Sequence, residues 1–197
     1  MIEHEFPYDS FIGGWYIPDS ICDDIVNYFY EQKDNGLTTE GKISKYGKLN
    51  TDTDVKDSED VKISHNNFDY PFNTYRKYLQ DCLIKYMERY DVVNELDYFN
   101  INTPYILQFY KKGGGFKTYH CERSGWKQSL NRCLVFMTYL NNINDGGTDF
   151  LYQKITSPAK KGLTIIWPTD WTHMHKSQIS ETKEKMIVTG WYTFNEQ

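Results

Sequence analysis

The chain has 197 residues, 39% hydrophobic and 17% aromatic, with 22 Lys+Arg against 27 Asp+Glu and a formal net charge of −5. That length fits one domain with a core of its own, needing no disulfide or structural metal simply to fold. The acidic balance argues against nucleic acid as a main partner, because phosphate neutralisation needs a basic face, and the apolar and aromatic content excludes a disordered chain.

Taken from the N-terminus, Met1-Ile2-Glu3-His4-Glu5 is acidic where a secretory signal would be basic and then apolar. No stretch reaches the roughly 18 apolar residues of a membrane span. With no such apolar stretch no membrane partner is expected, and Cys22, Cys82, Cys121 and Cys133 are far apart and form no Cys-x-x-Cys pair, which suits a reducing cytoplasm. Behind Pro18, with Asp19 or Ser20 as N-cap, Ile21, Ile25, Val26 and Phe29 predict a helix over 21–30. Residues 34–60 are polar, with few large apolar side chains, and read as a long mobile loop. Tyr78, Leu79, Cys82, Leu83 and Tyr86 predict a second helix over 74–90.

From Pro104 onward short strands are expected over 105–110, 116–121, 132–140, 148–152, 163–167, 173–177 and 185–194. Their separators are turn-forming: Gly113-Gly114-Gly115, Asn144-Asp145-Gly146-Gly147 and Pro158-Ala159-Lys160-Lys161-Gly162. Strands at this spacing indicate a sandwich or barrel. The whole, 1–197, is read as a single α+β, mainly β domain: a mixed N-terminal support over 1–103 and a β core over 104–197. Lys111-Lys112 before the glycines hints at a phosphate cradle, but such a cradle needs a helix after it. Phe116-Lys117-Thr118-Tyr119-His120 is strand-like instead, so a hairpin turn is expected.

The chemistry concentrates in few residues. Of five histidines, His120 stands two before Glu122, and on a strand the two share a face. Alone, His-x-Glu fits a solvated surface strand equally well. A further histidine, His173 or His175, lies on another expected strand, and face parity does not choose between them. Two imidazoles and one carboxylate form the facial triad that leaves three metal positions open. Lys185 shares a strand face with Ile187, Thr189 and Trp191; it either snorkels to water or meets an anionic ligand. Cys121 points to the opposite face and is read as core packing. Trp167 and Trp191 fit either a cavity entrance or the core.

These residues carry a resemblance. His120-x-Glu122, His175, Lys185 ten residues on and Thr189-Gly190-Trp191 closing the strand resemble the 2-oxoglutarate- and Fe(II)-dependent oxygenases, specifically the prolyl 4-hydroxylase-like group with small viral and bacterial members. Tyr110, the strand from Arg132 to Asn141 and Asp145-Gly146-Gly147-Thr148 match as well, and Phe11 to Pro18 looks like the family's entry segment. The match covers about 105–194.

The resemblance implies a double-stranded β-helix (jelly-roll) core with N-terminal supporting helices. It implies Fe(II) on His120, Glu122 and His175, the spacing of ten to Lys185 selecting His175 over His173. Glu122 stands where the family usually has Asp. Lys185 and Tyr139 would bind the distal carboxylate of 2-oxoglutarate, with Tyr110 and Thr189 lining the pocket. O2 would complete the reactants, with ascorbate as a reductant. The implied reaction hydroxylates prolyl residues in a peptide or protein, releasing succinate and CO2, with 34–60 as a lid and a cytoplasmic setting (the host's, for a viral chain). The alternatives are a small-molecule or free amino-acid hydroxylase of the same superfamily and a non-catalytic, cupin-like metal-binding module. A module of that kind has no need of a basic residue facing its pocket.

Overall fold

In the computed structural model, which describes residues 1–45 and 48–195, both expected helices form and both run past their apolar signals. The first, α1 (Asp19–Asp34), buries Ile21, Cys22, Ile25 and Phe29, the one-sided stripe of a helix lying on a sheet. Its N-cap is Pro18, with no side-chain cap, so the expected Asp19 or Ser20 cap is not made. Asp19 lies in the first turn instead, where its charge complements the helix dipole. The second, α2 (Phe72–Arg89), buries Phe72, Tyr75, Leu79, Cys82, Leu83 and Tyr86.

Both helices pack on one face of a nine-stranded antiparallel sheet. Its order is Ile2–His4, Gly13–Tyr16, Leu163–Pro168, Arg132–Tyr139, Lys185–Phe194, Tyr105–Tyr110, Glu59–Ile63 and Thr39–Glu40, with Phe99–Asn100 also on Lys185–Phe194. Alternation along the strands sorts the core into two. Leu107, Leu134, Phe136 and Val188 join the helical side chains. Tyr110, Met137, Tyr139 and Ile187 point the other way, toward Ile143, Phe150 and Ala159. Those last three belong to a three-stranded antiparallel sheet ordered Ile155–Ala159, Ile143–Phe150, His175–Ser177. Two facing antiparallel sheets with helices outside one of them make the expected α+β, mainly β jelly-roll. Among the described residues no helix is long and apolar enough to cross a membrane.

Several local expectations are corrected. Asn144-Asp145-Gly146-Gly147 is no turn; it lies inside the Ile143–Phe150 strand, where the register shifts between Ile143 and Thr148. A bulge needs the same small residues as a turn, and composition does not separate the two. The 113–115 glycines do turn the chain (Gly114 N–H to Lys111 O, 2.8 Å), but not as a hairpin, because the strands on either side pair elsewhere. The expected 116–121 strand shrinks to Gly115–Phe116, followed by an isolated bridge between His120 and His175. His173 sits in a short 3-10 turn, and the strand begins only at His175.

The expected loop over 34–60 instead carries strands at Thr39–Glu40, Ile43–Lys45, Lys48–Asn50 and Lys56–Asp57 and the start of Glu59–Ile63; its residues 46 and 47 lie outside the described ones. Backbone pairing with Tyr105–Tyr110 and Gly115–Phe116 orders it. A buried ion pair, Lys56 Nζ to Asp60 Oδ2 at 2.6 Å, takes the place of an apolar anchor.

A Cβ added at Gly147 would come 2.1 Å from the Ser157 carbonyl oxygen. Since that neighbour is backbone and cannot swing away, Gly147→Ala is expected to cost about 3 kcal/mol of unfolding free energy in a denaturant titration.

Candidate active site

Two distant segments meet through their backbones. His120 N–H donates to the His175 carbonyl (3.0 Å) and His175 N–H returns the bond to His120 (2.9 Å). One step on, Glu122 and Arg123 N–H both donate to Thr169 O, at 3.1 and 3.0 Å. Arg123 also grips Asp170 with two hydrogen bonds, Nε to Oδ1 at 2.8 Å and Nη2 to Oδ2 at 2.5 Å. His120 and Glu122 therefore face one way because their loop is laced to the 169–175 segment, not because they sit on a regular strand.

Each imidazole has one nitrogen fixed. His120 Nδ1 lies 3.1 Å from Thr118 O, and His175 Nδ1 lies 2.8 Å from His173 O. A carbonyl only accepts, so Nδ1 carries the proton and Nε2 of each neutral ring keeps its lone pair. Both Nε2 atoms stand 3.5 Å from Glu122 Oε1, and the three ligand atoms lie within 4.8 Å of one another.

The other carboxylate oxygen is occupied. Glu122 Oε2 accepts from Arg132 Nη1 (3.1 Å) and Trp191 Nε1 (2.9 Å). Arg132 Nη1 also reaches Glu122 O (2.8 Å), and its guanidinium lies 3.5 Å above the Trp191 ring. Only Oε1 is left for a metal, so the longer Glu is held to one-oxygen ligation. Burial alone would raise the Glu122 carboxyl, yet its contacts with both imidazoles and the Arg132 charge hold it well below the usual carboxylate range. Burial, aided by nearby His175, lowers the His120 imidazole. Two neutral nitrogens and one anionic oxygen, converging from one side, suit a divalent transition metal with open positions.

The cluster lies in a cavity of about 1090 Å³ between the sheets, which also collects Lys185, Tyr139, Tyr110 and Thr189. Lys185 is 2% exposed. It donates to Gly146 O (3.0 Å), Gln178 O (2.9 Å) and Ser177 Oγ. Burial pulls its ammonium down to about 8, against weaker support from Asp145 and Asp149. Tyr139 Oη lies 2.7 Å from Thr148 Oγ1 and 2.8 Å from Ser157 Oγ. Tyr110 and Thr189 line the cavity with their hydroxyls already engaged, by Gln108 Oε1 (2.8 Å) and Phe136 O (3.3 Å).

His173 is outside the cluster. It is buried, with Nε2 3.0 Å from Ser10 O and Nδ1 3.0 Å from Thr172 Oγ1, and it reaches the site only through the carbonyl that orients His175. Cys121 is half-buried at the cavity edge, its thiol toward Arg123 O (3.6 Å). Trp167 is core, set edge-on to the His175 ring at 5.1 Å. Sequence reasoning missed Arg132 and the Trp191 N–H as holders of Glu122. Alternation on the last strand puts Trp191 on the Lys185 face, but nothing local announces the bond.

Arg132→Met would leave a buried carboxylate short of its cation. The expected loss is about 3 kcal/mol of unfolding free energy in the metal-free protein. The part-exposed Arg123–Asp170 pair provides the contrast: Arg123→Met is expected to cost under about 1 kcal/mol in the same chemical denaturation experiment.

A family model described as the 2OG-Fe(II) oxygenase superfamily matches residues 105–193. No curated protein matches the chain. A Pseudomonas putida prolyl-4-hydroxylase superposes with a TM-score of 0.68 at 12% identity, over 93% of this chain and 92% of that one. The viral collagen prolyl hydroxylase of Paramecium Bursaria Chlorella virus-1, in its 2OG complex, gives 0.68 at 17%, over 94% and 97%. A Trichoplax adhaerens prolyl hydroxylase, solved with a hypoxia inducible factor oxygen degradation domain peptide fragment, gives 0.68 at 14%, over 91% and 83%. At such identities these likenesses speak for the shared jelly-roll. The matched segment holds His120, Glu122, His175 and Lys185, and over residues 105–193 this chain is similar to the 2OG-Fe(II) oxygenase superfamily.

Proposed function

We propose that the chain works as one catalytic unit, an Fe(II)- and 2-oxoglutarate-dependent dioxygenase that hydroxylates prolyl residues of a peptide or protein and releases succinate and CO2. His120 and His175 hold the metal through Nε2 and Glu122 holds it through Oε1. The observation that carries this reading is the sharing of one cavity by that three-atom cluster and the buried Lys185 ammonium. When bound, Fe(II) and 2-oxoglutarate would supply electrons that reduce O2, one oxygen atom passing into succinate as CO2 leaves and the other into the substrate C–H bond.

The chain's own residues bind, orient and exclude. The Nδ1–H bonds of both histidines keep the ligating tautomer. Arg132 and Trp191 keep Glu122 to a single oxygen, which leaves coordination positions for the co-substrate and O2. Lys185 and Tyr139 take the distal carboxylate as charge-assisted and hydroxyl hydrogen bonds. Tyr110 and Thr189 give that end of the cavity its shape. Phe116, stacked on His120 at 3.6 Å, and Trp167 beside His175 keep water from the imidazole faces.

A peptide substrate is supported by the extent of the cavity, which runs beyond the cluster to Thr39, Ile43, Leu49 and Trp126. The prolyl hydroxylases that share the fold give the direction for proline. In this reading 34–60 closes over the peptide, ascorbate serves as reductant, and the setting is cytoplasmic.

Anaerobic addition of 2-oxoglutarate to the Fe(II) protein is expected to raise a weak visible charge-transfer band. His175→Ala should abolish it and His173→Gln should keep it; metal-bound wild-type protein with no band would sink the proposal. The affinity should also depend on pH in a defined sense. With the free Lys185 ammonium at about 8, it is charged below that pH and ready for a carboxylate. Above it, binding must first draw a proton from solvent. Affinity for 2-oxoglutarate is therefore expected to be flat below pH 8 and to fall by up to about tenfold per unit above it. Lys185→Met should bind weakly and without that dependence.

A further inference from the structure

We propose that Gln108 recognises the peptide main chain at the reacting proline, its amide nitrogen donating to the carbonyl oxygen of the X–Pro amide. The inference rests on the peptide-hydroxylase reading above and names a residue that reading does not use.

Gln108 is 5% exposed, yet it lines the cavity. Its side chain has one acceptor oxygen and two N–H donors. The oxygen is occupied, because Tyr110 Oη donates to Gln108 Oε1 at 2.8 Å. That bond also fixes which way round the amide stands. Tyr110 has no other acceptor among the described residues, so its proton needs the oxygen and the nitrogen is left over. Among the described residues that nitrogen has no partner. The cross-strand neighbours of Gln108 are Ile187 and Asp60. Ile187 is apolar, and the two carboxylate oxygens of Asp60 are engaged by Lys56 Nζ (2.6 Å) and Ser58 Oγ (2.8 Å). Polar groups buried this deeply are almost always paired, and the partner left for this one is a ligand in the cavity.

Register places that ligand. Cross-strand pairing sets Tyr139, Ile187, Gln108, Asp60 and Thr39 in one row, directly opposed residues project to the same face, and all five line the cavity. Tyr139 marks the inner end of the row, against Thr148 and Ser157 of the facing sheet. Thr39 marks the outer end. Two strand spacings of about 4.8 Å set Gln108 roughly 10 Å outward from Tyr139. Its nitrogen therefore serves the half of the cavity that leads to Thr39 and Ile43. A prolyl peptide suits a donor there. The nitrogen of an X–Pro amide carries no hydrogen, so the carbonyl oxygen is its one hydrogen-bonding atom. With its own oxygen held by Tyr110, Gln108 offers donors alone, the complement of such an amide. A free amino acid has no X–Pro amide to offer.

The test is calorimetric titration of the protein loaded with Mn(II) and 2-oxoglutarate, under nitrogen, with two blocked nonapeptides. One has a single central Ala–Pro unit; in the other, sulfur replaces the oxygen of that Ala–Pro amide. A thiocarbonyl is a poor acceptor, and the amide has no N–H for the exchange to alter. Wild type is expected to bind the oxygen peptide about fivefold more tightly, the size of one neutral hydrogen bond. Gln108→Met, of nearly the same shape, should bind both peptides alike. Gln108→Glu keeps an acceptor for Tyr110 and lacks the donor, and it should likewise lose the preference. Binding of 2-oxoglutarate by each variant shows that it is folded and metal-loaded. A preference that survives in both variants, or is absent from wild type, would overturn the role of Gln108 while leaving the peptide reading in place. A wild-type protein that takes up 2-oxoglutarate but neither peptide would overturn both.

Discussion

Everything at this site depends on the pair of backbone hydrogen bonds exchanged by His120 and His175. They bring together two segments that share no helix or continuous strand, and they do so through groups every sequence carries. Side chains then refine what the backbone sets. Thr118 O and His173 O fix the ring tautomers, while Thr169 O and the Arg123–Asp170 pair stop the Glu122 loop from sliding. Three ligand atoms within 4.8 Å are the geometric result of that lacing.

Buried charge tells a second, independent story. Removing an ion from water is costly unless a partner replaces the solvent. Lys56 has Asp60 at 2.6 Å, and Arg132 has Glu122 at 3.1 Å. Lys185, buried as deeply as either, has only neutral oxygens within hydrogen-bond reach, with Asp145 and Asp149 farther off. A fold that keeps such a residue carries a standing electrostatic cost that an anionic ligand would offset, and this links the far end of the cavity to the metal end.

The segment over 34–60 connects these two stories to a third. It is short of apolar anchors, yet near its C-terminal end it is tied both to the Tyr105–Tyr110 strand, through Glu59 and Asp60, and to Phe116, through Lys56, and the Phe116 ring lies on His120. Movement in this segment would therefore be felt at an imidazole face and not only at the cavity mouth. The Lys56–Asp60 pair, with Ser58 Oγ on the second carboxylate oxygen at 2.8 Å, is its firmest point.

The sequence by itself determined what periodicity and spacing can encode. The buried stripes of both helices, the shared face of Lys185, Ile187, Thr189 and Trp191, and the His120-x-Glu122 and His175 pattern are all short-range or pattern-level facts, set by 3.6- and 2-residue repeats. Tertiary structure decided what depends on distant partners. Face parity left His173 and His175 equal; separation came from a 3-10 turn and from Ser10, which engages the His173 ring. The glycines at 146 and 147 became a bulge instead of a turn because a strand was there to pair with. The hold of Arg132 and Trp191 on one oxygen of Glu122, and the row that sets Gln108 between Ile187 and Asp60, are contacts between strands far apart in the chain. No local repeat carries their distance, so only the closed sheets could decide them.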